Sequence, residues 1–411
     1  MEENQIQIPE GWRKVALGKV LRYAQPYRFI VKSTNYDAKS GTPVLTAGKS
    51  FILGYTNEAD NIYSETPIII FDDFTTDTKF VDFPFKVKSS AMKFLKAVDE
   101  KEIDLKYAFE KIQTIKITET GGDHKRRWIS EYSKIEVLFP EFTEQQSIAN
   151  ILSKTDQAIA NTEALIAKYT QIKAGLMQDI LTKGIDENGN IRTEQTHEFK
   201  DSPLGRIPKD WEVKKLDECI NKNTTITYGI VQTFEHIVDG VPVLRTIDLK
   251  ENGINSVENL LRTKKSISDK YRRTLLLEND IVCNVRASVG DFNIVSAEYV
   301  NCNTTRGVAR ICPSNDVVNK YLVWFLKSYK NEKQMELLIK GTTFIDINIG
   351  DLRKIWVLLP SKTEQELIAD KLDKIQSSFH IYQTELSKLQ SLKTGLMQDL
   401  LSGKVRVKIN N

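Results

Sequence analysis

The stretch Gly175-Leu176-Met177-Gln178-Asp179-Ile180-Leu181 returns as Gly395-Leu396-Met397-Gln398-Asp399-Leu400-Leu401. A strict offset of 220 residues relates the two copies. Carried backwards without a gap, residues 143–182 match 363–402 at 15 of 40 positions, which marks an internal repeat. Both copies read as one long helix. Each opens with Thr-Glu-Gln (Thr143, Glu144, Gln145; Thr363, Glu364, Gln365) three residues after a proline, Pro140 or Pro360. Thr suits an N-cap and an acid suits the first turn. The apolar positions Ile368, Leu372, Ile375, Phe379, Tyr382, Leu386, Leu389, Leu392, Leu396 and Leu400 step by three or four, a heptad-like seam. The first copy keeps the frame with Ile148, Leu152, Thr155, Ile159, Thr162, Ile166, Tyr169, Ile172, Leu176 and Ile180. Forty residues make a rod of roughly 60 Å, and two rods with matching seams are expected to pack on each other. Each rod carries a glycine near its end, Gly175 or Gly395, at a helix-propensity cost of about 1 kcal/mol. Close approach of the other helix explains that best; a partner protein is the alternative.

Working outward, Ile8-Pro9-x-x-Trp12-x4-Leu17 recurs as Ile207-Pro208-x-x-Trp211-x4-Leu216 at an offset of 199. The second half therefore has 21 more residues in its globular part. The chain reads as a globular domain (1–142), a helix (143–182), a linker (183–206), a second globular domain (207–362), a second helix (363–402) and a tail (403–411). The linker is rich in Gly, Asn, Asp, Ser and Pro, which is turn chemistry. The globular parts look α/β. Strands are expected at Pro43–Thr46, Pro67–Phe71, Phe80–Val87, Ile135–Phe139, Pro242–Arg245, Asp280–Val285, Phe292–Val295, Gly307–Cys312 and Ile355–Leu359. Helical periodicity is read at Ala91–Val98, Leu105–Ile112 and Val317–Ser328.

At 411 residues, 40% apolar and 27% charged, the chain has room for two or three ordinary soluble domains. It contains no run of 18 apolar residues, and its start, MEENQIQIPEGW, has no apolar signal core. A cytoplasmic protein without membrane contact is expected. Cys219, Cys283, Cys302 and Cys312 lack C-x-x-C spacing and read as free thiols, and the four histidines lack metal-ligand spacing. A net charge of +3 permits local nucleic-acid patches without arguing for them.

Catalytic motifs are missing. No Pro-Pro dipeptide occurs, so the Asn/Asp-Pro-Pro-aromatic loop of amino-methyltransferases is absent. Gly48-Lys49-Ser50 fails as a P-loop because Pro43 stands where the first glycine must be. Glu212-Val213-Lys214 reads as a solvated charge cluster. Binding signals are better. His124-Lys125-Arg126-Arg127-Trp128 is a basic run ending in an aromatic, on a loop opened by Gly121 and Gly122. Such cations neutralise phosphates, and Arg can donate to guanine O6 and N7. A matching Gly341-Thr342-Thr343-Phe344 loop precedes the last strand of the second domain. Arg245-Thr246, Arg286-Ala287-Ser288 and Thr304-Thr305-Arg306 place Arg beside hydroxyls at strand ends, a combination suited to phosphate or base-edge contacts.

These residues together resemble the specificity subunit of type I restriction-modification enzymes. The resemblance rests on Ile207-Pro208-x-x-Trp211, on Pro360-x-x-Thr363-Glu364-Gln365-x-x-Ile368-Ala369 and on the paired Gly-Leu-Met-Gln-Asp helices, and it covers nearly the whole chain. It implies an α/β (α+β) fold with two target-recognition domains separated by two long antiparallel coiled-coil helices, as a pseudo-two-fold repeat. Each domain would read one half of a split site in double-stranded DNA, and the helices would set the spacer. Lys49, Lys125, Arg126, Arg127, Trp128, Arg245, Arg286, Ser288, Thr304, Thr305, Arg306 and Thr343 are the candidate DNA contacts. Leu176, Met177, Leu396 and Met397 are the candidate coiled-coil and partner contacts. Two methyltransferase subunits and motor-nuclease restriction subunits would be the partners. No cofactor is expected on this chain; S-adenosylmethionine, ATP and Mg would belong to the partners. Two other readings compete: a single-chain methyltransferase-nuclease, which the missing Pro-Pro loop disfavours, and a coiled-coil scaffold with protein-binding ends, which the basic, hydroxyl-rich loops disfavour.

Overall fold

A computed structural model describes residues 8–37, 40–46, 50–115, 126–233, 235–251, 253–339 and 345–407. Two helices dominate it, Phe142–Lys183 and Lys362–Ser402. Thr143 and Thr363 fall inside the first turns. In the second helix the cap is Ser361, whose Oγ accepts the Glu364 N–H at 3.3 Å. The chain forms two compact units, residues 1–164 with 383–411, and residues 165–382. Each unit contains one globular part and half of each helix.

The two globular parts repeat one topology. In the first unit, four antiparallel strands lie in the order Leu21–Ala24, Met92–Ala97, Ile68–Asp72, Thr78–Val81. Three more lie in the order Ile52–Thr56, Thr42–Leu45, Lys86–Val87, the last pair parallel. Arg13–Ala16 pairs with Glu136–Phe139, just before the long helix. In the second unit the four-stranded order is Thr227–Tyr228, Val308–Ile311, Ile281–Asn284, Phe292–Ile294. The three-stranded order is Leu261–Thr263, Val241–Leu244, Asn303–Thr304, again ending in a parallel pair. Glu212–Lys215 pairs with Trp356–Leu359. Equivalent loops can be matched by their hydrogen bonds: Lys88 N–H donates to Leu45 O and Thr305 N–H to Leu244 O, both at 2.9 Å.

The segment read as helical at Ala91–Val98 is the strand Met92–Ala97. It lies inside its sheet and is buried along nearly its whole length. A strand covered on both faces loses the period-two alternation that would have identified it.

Each unit shows the helices running antiparallel. In the second unit Tyr169 stacks on Tyr382 (centroids 5.1 Å apart), Lys173 Nζ donates to Gln376 Oε1 at 2.6 Å, and Ile180 shares a core with Ile368. In the first, Ile148 and Leu152 share a core with Leu400 and Leu401, and Lys393 pairs with Asp156 at 2.5 Å. The seam differs from expectation at one repeated position. Ile172 and Leu392 are 44% and 52% exposed. The partly buried Lys173 and Lys393 take the inward place, which keeps a regular 4-3-4 step from Tyr169 through Lys173 and Leu176 to Ile180.

The conserved spacing between repeats has a structural cause. Trp12 Nε1 donates to Glu144 Oε2 and Trp211 Nε1 to Glu364 Oε2, both at 3.1 Å. Arg406 closes the first arrangement on Glu144 at 2.8 Å, and Arg192 the second on Glu364 at 2.9 Å. Gln145 and Gln365 bind the carbonyls of Pro140 and Pro360, both at 3.0 Å. Their Oε1 atoms accept the backbone N–H of Asp104 and Val318, at the start of the helices Leu105–Gln113 and Asn319–Leu326. The two tryptophans, glutamates and glutamines thus tie each globular part to the long helix that follows it.

Candidate nucleic-acid interface

Within the second unit, Arg245, Arg286, Ser288, Thr305 and Arg306 lie at or beyond strand ends and come together. In the second unit, Asn284 ends a fully buried strand. Its Nδ2 donates to Thr246 O (3.1 Å), Ser288 Oγ (2.9 Å) and Asp291 Oδ2 (3.2 Å). A side chain at Gly307 would clash with the Thr246 methyl and lie 3.8 Å from Arg286 Cβ. The Arg245–Thr246 strand end, the Arg286–Ser288 loop and the Thr305–Gly307 turn are therefore one cluster. Ala287 holds a positive φ of 63°, which turns that loop sharply.

The arginines in this cluster differ in freedom. Arg245 donates from Nε and Nη2 to both oxygens of Asp248, at 2.9 and 3.2 Å. Arg286 pairs through Nε with Asp346 at 3.0 Å, and both side chains are 41% exposed. Each carboxylate fixes a guanidinium while leaving part of its donor fork open. Arg306 is exposed and makes no ion pair with any described residue. Thr305 is half-buried. Thr304 is a correction: it is fully buried, and its carbonyl packs where a Gly229 side chain would stand. Although its strand lies at the edge of the three-stranded sheet, its side chain is turned into the interior, so it makes no surface contact.

In the first unit Arg126 is exposed and Arg127 half-buried at the start of the short helix Arg127–Ser130. Neither forms an ion pair among the described residues. Trp128 is a second correction. It is 2% exposed, its ring meets Phe71 at 5.5 Å, and its backbone N–H donates to Asp73 Oδ1 at 3.0 Å. The aromatic anchors the basic run from below, because burying that ring outweighs anything a surface contact offers. Lys49, Lys125 and Thr343 lie outside the described residues, as do Gly341 and Phe344.

Sequence reading missed a polar group at the matching place. Tyr23 and Gln25 lie at the end of an edge strand, beside Lys93 and Asp73. Lys93 and Asp73 are 7% and 5% exposed. Burial, then the Asp73 carboxylate, push the Tyr23 phenol up to about 12. Burial also lowers the Lys93 ammonium. The available signal was Asp72-Asp73, two acids directly after the apolar run Ile68–Phe71. Asp72 serves the turn, accepting the N–H groups of Phe74 and Thr75, which leaves Asp73 for the cluster.

Leu176 and Met177 are partly buried on the core of the second unit, and Leu396 and Met397 on that of the first. Gly175 and Gly395 do not mark close helix approach: a side chain at either would meet nothing within 4 Å. Glu212 and Lys214 pair with each other at 2.6 Å on an exposed strand face. Among the described residues no cluster of His, Cys, Asp and Glu could hold a metal ion, the cysteines are free, and no helix is long and apolar enough to cross a membrane.

Comparison with known proteins matches the described geometry to one family. A model of the type I restriction modification DNA specificity domain matches twice, at residues 9–171 and 208–391. The specificity subunit of the type I restriction enzyme EcoR124I/EcoR124II from Escherichia coli is 30% identical over 367 residues, covering 88% of this chain and 86% of that one. The MjaVIII specificity subunit from Methanocaldococcus jannaschii is 26% identical over 424 residues, covering 99% and 96%. The crystal structure of a type I restriction-modification S subunit from M. genitalium has the same fold, with a TM-score of 0.62 at 16% identity over 99% of this chain and 98% of that one.

Proposed function

Because the chain belongs to the family of type I restriction-modification specificity subunits, we propose that each of its globular parts reads one half of a bipartite site in double-stranded DNA. The chain is a non-catalytic subunit, in agreement with the missing methyltransferase and P-loop motifs. The observation that carries the reading is the duplicated topology with divergent loops. One frame occurs twice, and its loop ends carry different chemistry: Arg245, Arg286, Ser288 and Arg306 in one copy, Tyr23, Gln25, Asp73 and Arg126 in the other. Equal frames with unequal loops suit two independent readers of unequal half-sites.

The long helices set the spacer between half-sites and carry the docking sites for two methyltransferase subunits. The exposed Ile172 beside the open Gly175 recurs as Leu392 beside Gly395. An apolar patch presented twice under one 220-residue offset fits two copies of one partner. S-adenosylmethionine is supplied by those subunits, and ATP and Mg by motor-nuclease subunits. The complex acts on DNA in the cytoplasm.

A direct test is binding of the purified full chain to duplex DNA across a salt series. Affinity should fall log-linearly with a slope that reflects several phosphates. Arg306→Ala should either shallow that slope by about one or relax one base position. Salt-independent binding, or none alone or with the methyltransferase, would favour the protein-scaffold reading.

A further inference from the structure

The polar group in the first unit is a directional relay, and its direction has a consequence for which base is read. Lys93 can only donate. Its Nζ donates to Gln25 Oε1 at 3.0 Å and to the Ser90 carbonyl, and lies 3.8 Å from Asp73 Oδ2. That carboxylate oxygen is buried and accepts no hydrogen bond. It holds the ammonium in place electrostatically, while Asp73 Oδ1 is tied to the backbone N–H of Trp128. With Lys93 on its oxygen, the Gln25 amide has one orientation, and Nε2 donates to the Tyr23 hydroxyl at 2.6 Å. The phenol oxygen is therefore an acceptor towards the protein, and its own proton is directed elsewhere. Among the described residues no acceptor takes that proton.

From this relay, and resting on the DNA-reading proposal above, we infer that Tyr23 is a specificity-determining residue whose hydroxyl donates to an acceptor on a base edge of the half-site read by residues 1–142. Its partner in the major groove is guanine O6 or N7, thymine O4 or adenine N7. Cytosine presents an amino donor there and is rejected. The raised phenol keeps the group a donor at any working pH. The exposed Arg126, close enough to influence both Tyr23 and Lys93, supplies a phosphate contact beside it. Asp73, Lys93 and Gln25 are positioning residues, since they act only through the phenol.

The test uses the full chain assembled with its methyltransferase, on a duplex library randomised across the target, with methylation mapped by sequencing. Tyr23→Phe should relax one position of one half-site, lowering its preference against cytosine by about 3- to 10-fold, the worth of one hydrogen bond. Gln25→Glu should produce the same relaxation at the same position although the hydroxyl remains. A carboxylate offers no donor, so the Tyr23 proton turns inward to it. Reading ratios between bases cancels any uniform effect of the added charge. Unchanged ratios in both variants, or a uniform loss across all bases, would overturn the inference while leaving the DNA-reading proposal standing. A wild-type complex without sequence preference in that half would overturn both.

Discussion

Glu364 is where one side chain carries the most structure. It is 5% exposed and accepts three donors: Ile185 N–H at 3.0 Å, Trp211 Nε1 at 3.1 Å and Arg192 Nη2 at 2.9 Å. Gly184, at a φ of 72°, packs so close that a side chain there would overlap both Glu364 and Trp211, so neighbours have no room to fill a gap. Glu364→Ala strips two buried neutral donors of their acceptor, at about 1–3 kcal/mol each. Arg192 keeps Asp210, at 2.9 and 3.0 Å, and adds less. The expected loss is about 3–5 kcal/mol, in the range for breaking a buried pair, against a domain stability of about 5–15 kcal/mol. Since about 1.4 kcal/mol is tenfold, amide exchange between residues 184 and 211 should speed up by roughly 100-fold or more in hydrogen-exchange mass spectrometry. Glu364→Gln, which keeps one acceptor, should fall between. Exchange in Glu364→Ala within about threefold of wild type would refute the assignment of the segment's order to this carboxylate.

Replacing both Gly175 and Gly395 with Ala should stabilise each helix by about 1 kcal/mol, because the added methyl groups meet nothing within 4 Å. If the methyltransferase rests on these faces, the same double variant should assemble less tightly by native mass spectrometry; unchanged assembly would move the docking site elsewhere. Lys111 donates to the Leu401 carbonyl at 2.5 Å, and burial lowers its ammonium from 10.5 to about 8. Between those two values the unfolded chain binds the extra proton, so wild-type stability rises with pH through that window, by about 3 kcal/mol at most. In urea titrations at pH 7.5 and 10, Lys111→Met should lack this rise; parallel pH profiles would contradict it.

The frame was legible because its sequence signature is its joinery. Ile-Pro-x-x-Trp and Thr-Glu-Gln recur because Trp12 and Trp211 donate to Glu144 and Glu364, and Gln145 and Gln365 tie down proline carbonyls. Such contacts need particular residues at particular spacings, so they survive as motifs. That Arg245, Arg286 and Arg306 stand at strand ends was readable because polar residues that close apolar runs mark the loops. The losses have equally specific causes. Trp128 followed three cations yet turned into the core, and Thr304 was assigned by composition although both residues of its short edge strand are buried. Met92–Ala97 lost its alternation by being buried on both faces. The relay from Lys93 to Tyr23 joins residues 70 positions apart, with Asp73 from a third segment, and only the sheet order brings them together. Ile172 and Leu392 matched the heptad until a lysine took the inward position in both repeats.

The central claim, one domain for each half-site, is tested most directly by exchanging residues 207–362 for the equivalent domain of another family member. The exchanged chain is assembled with the methyltransferase, and modified adenines are mapped on random DNA beside the wild-type complex. The account predicts two bipartite targets that share one half-site and differ in the other. A target changed in both halves, or a continuous target in either complex, would contradict it.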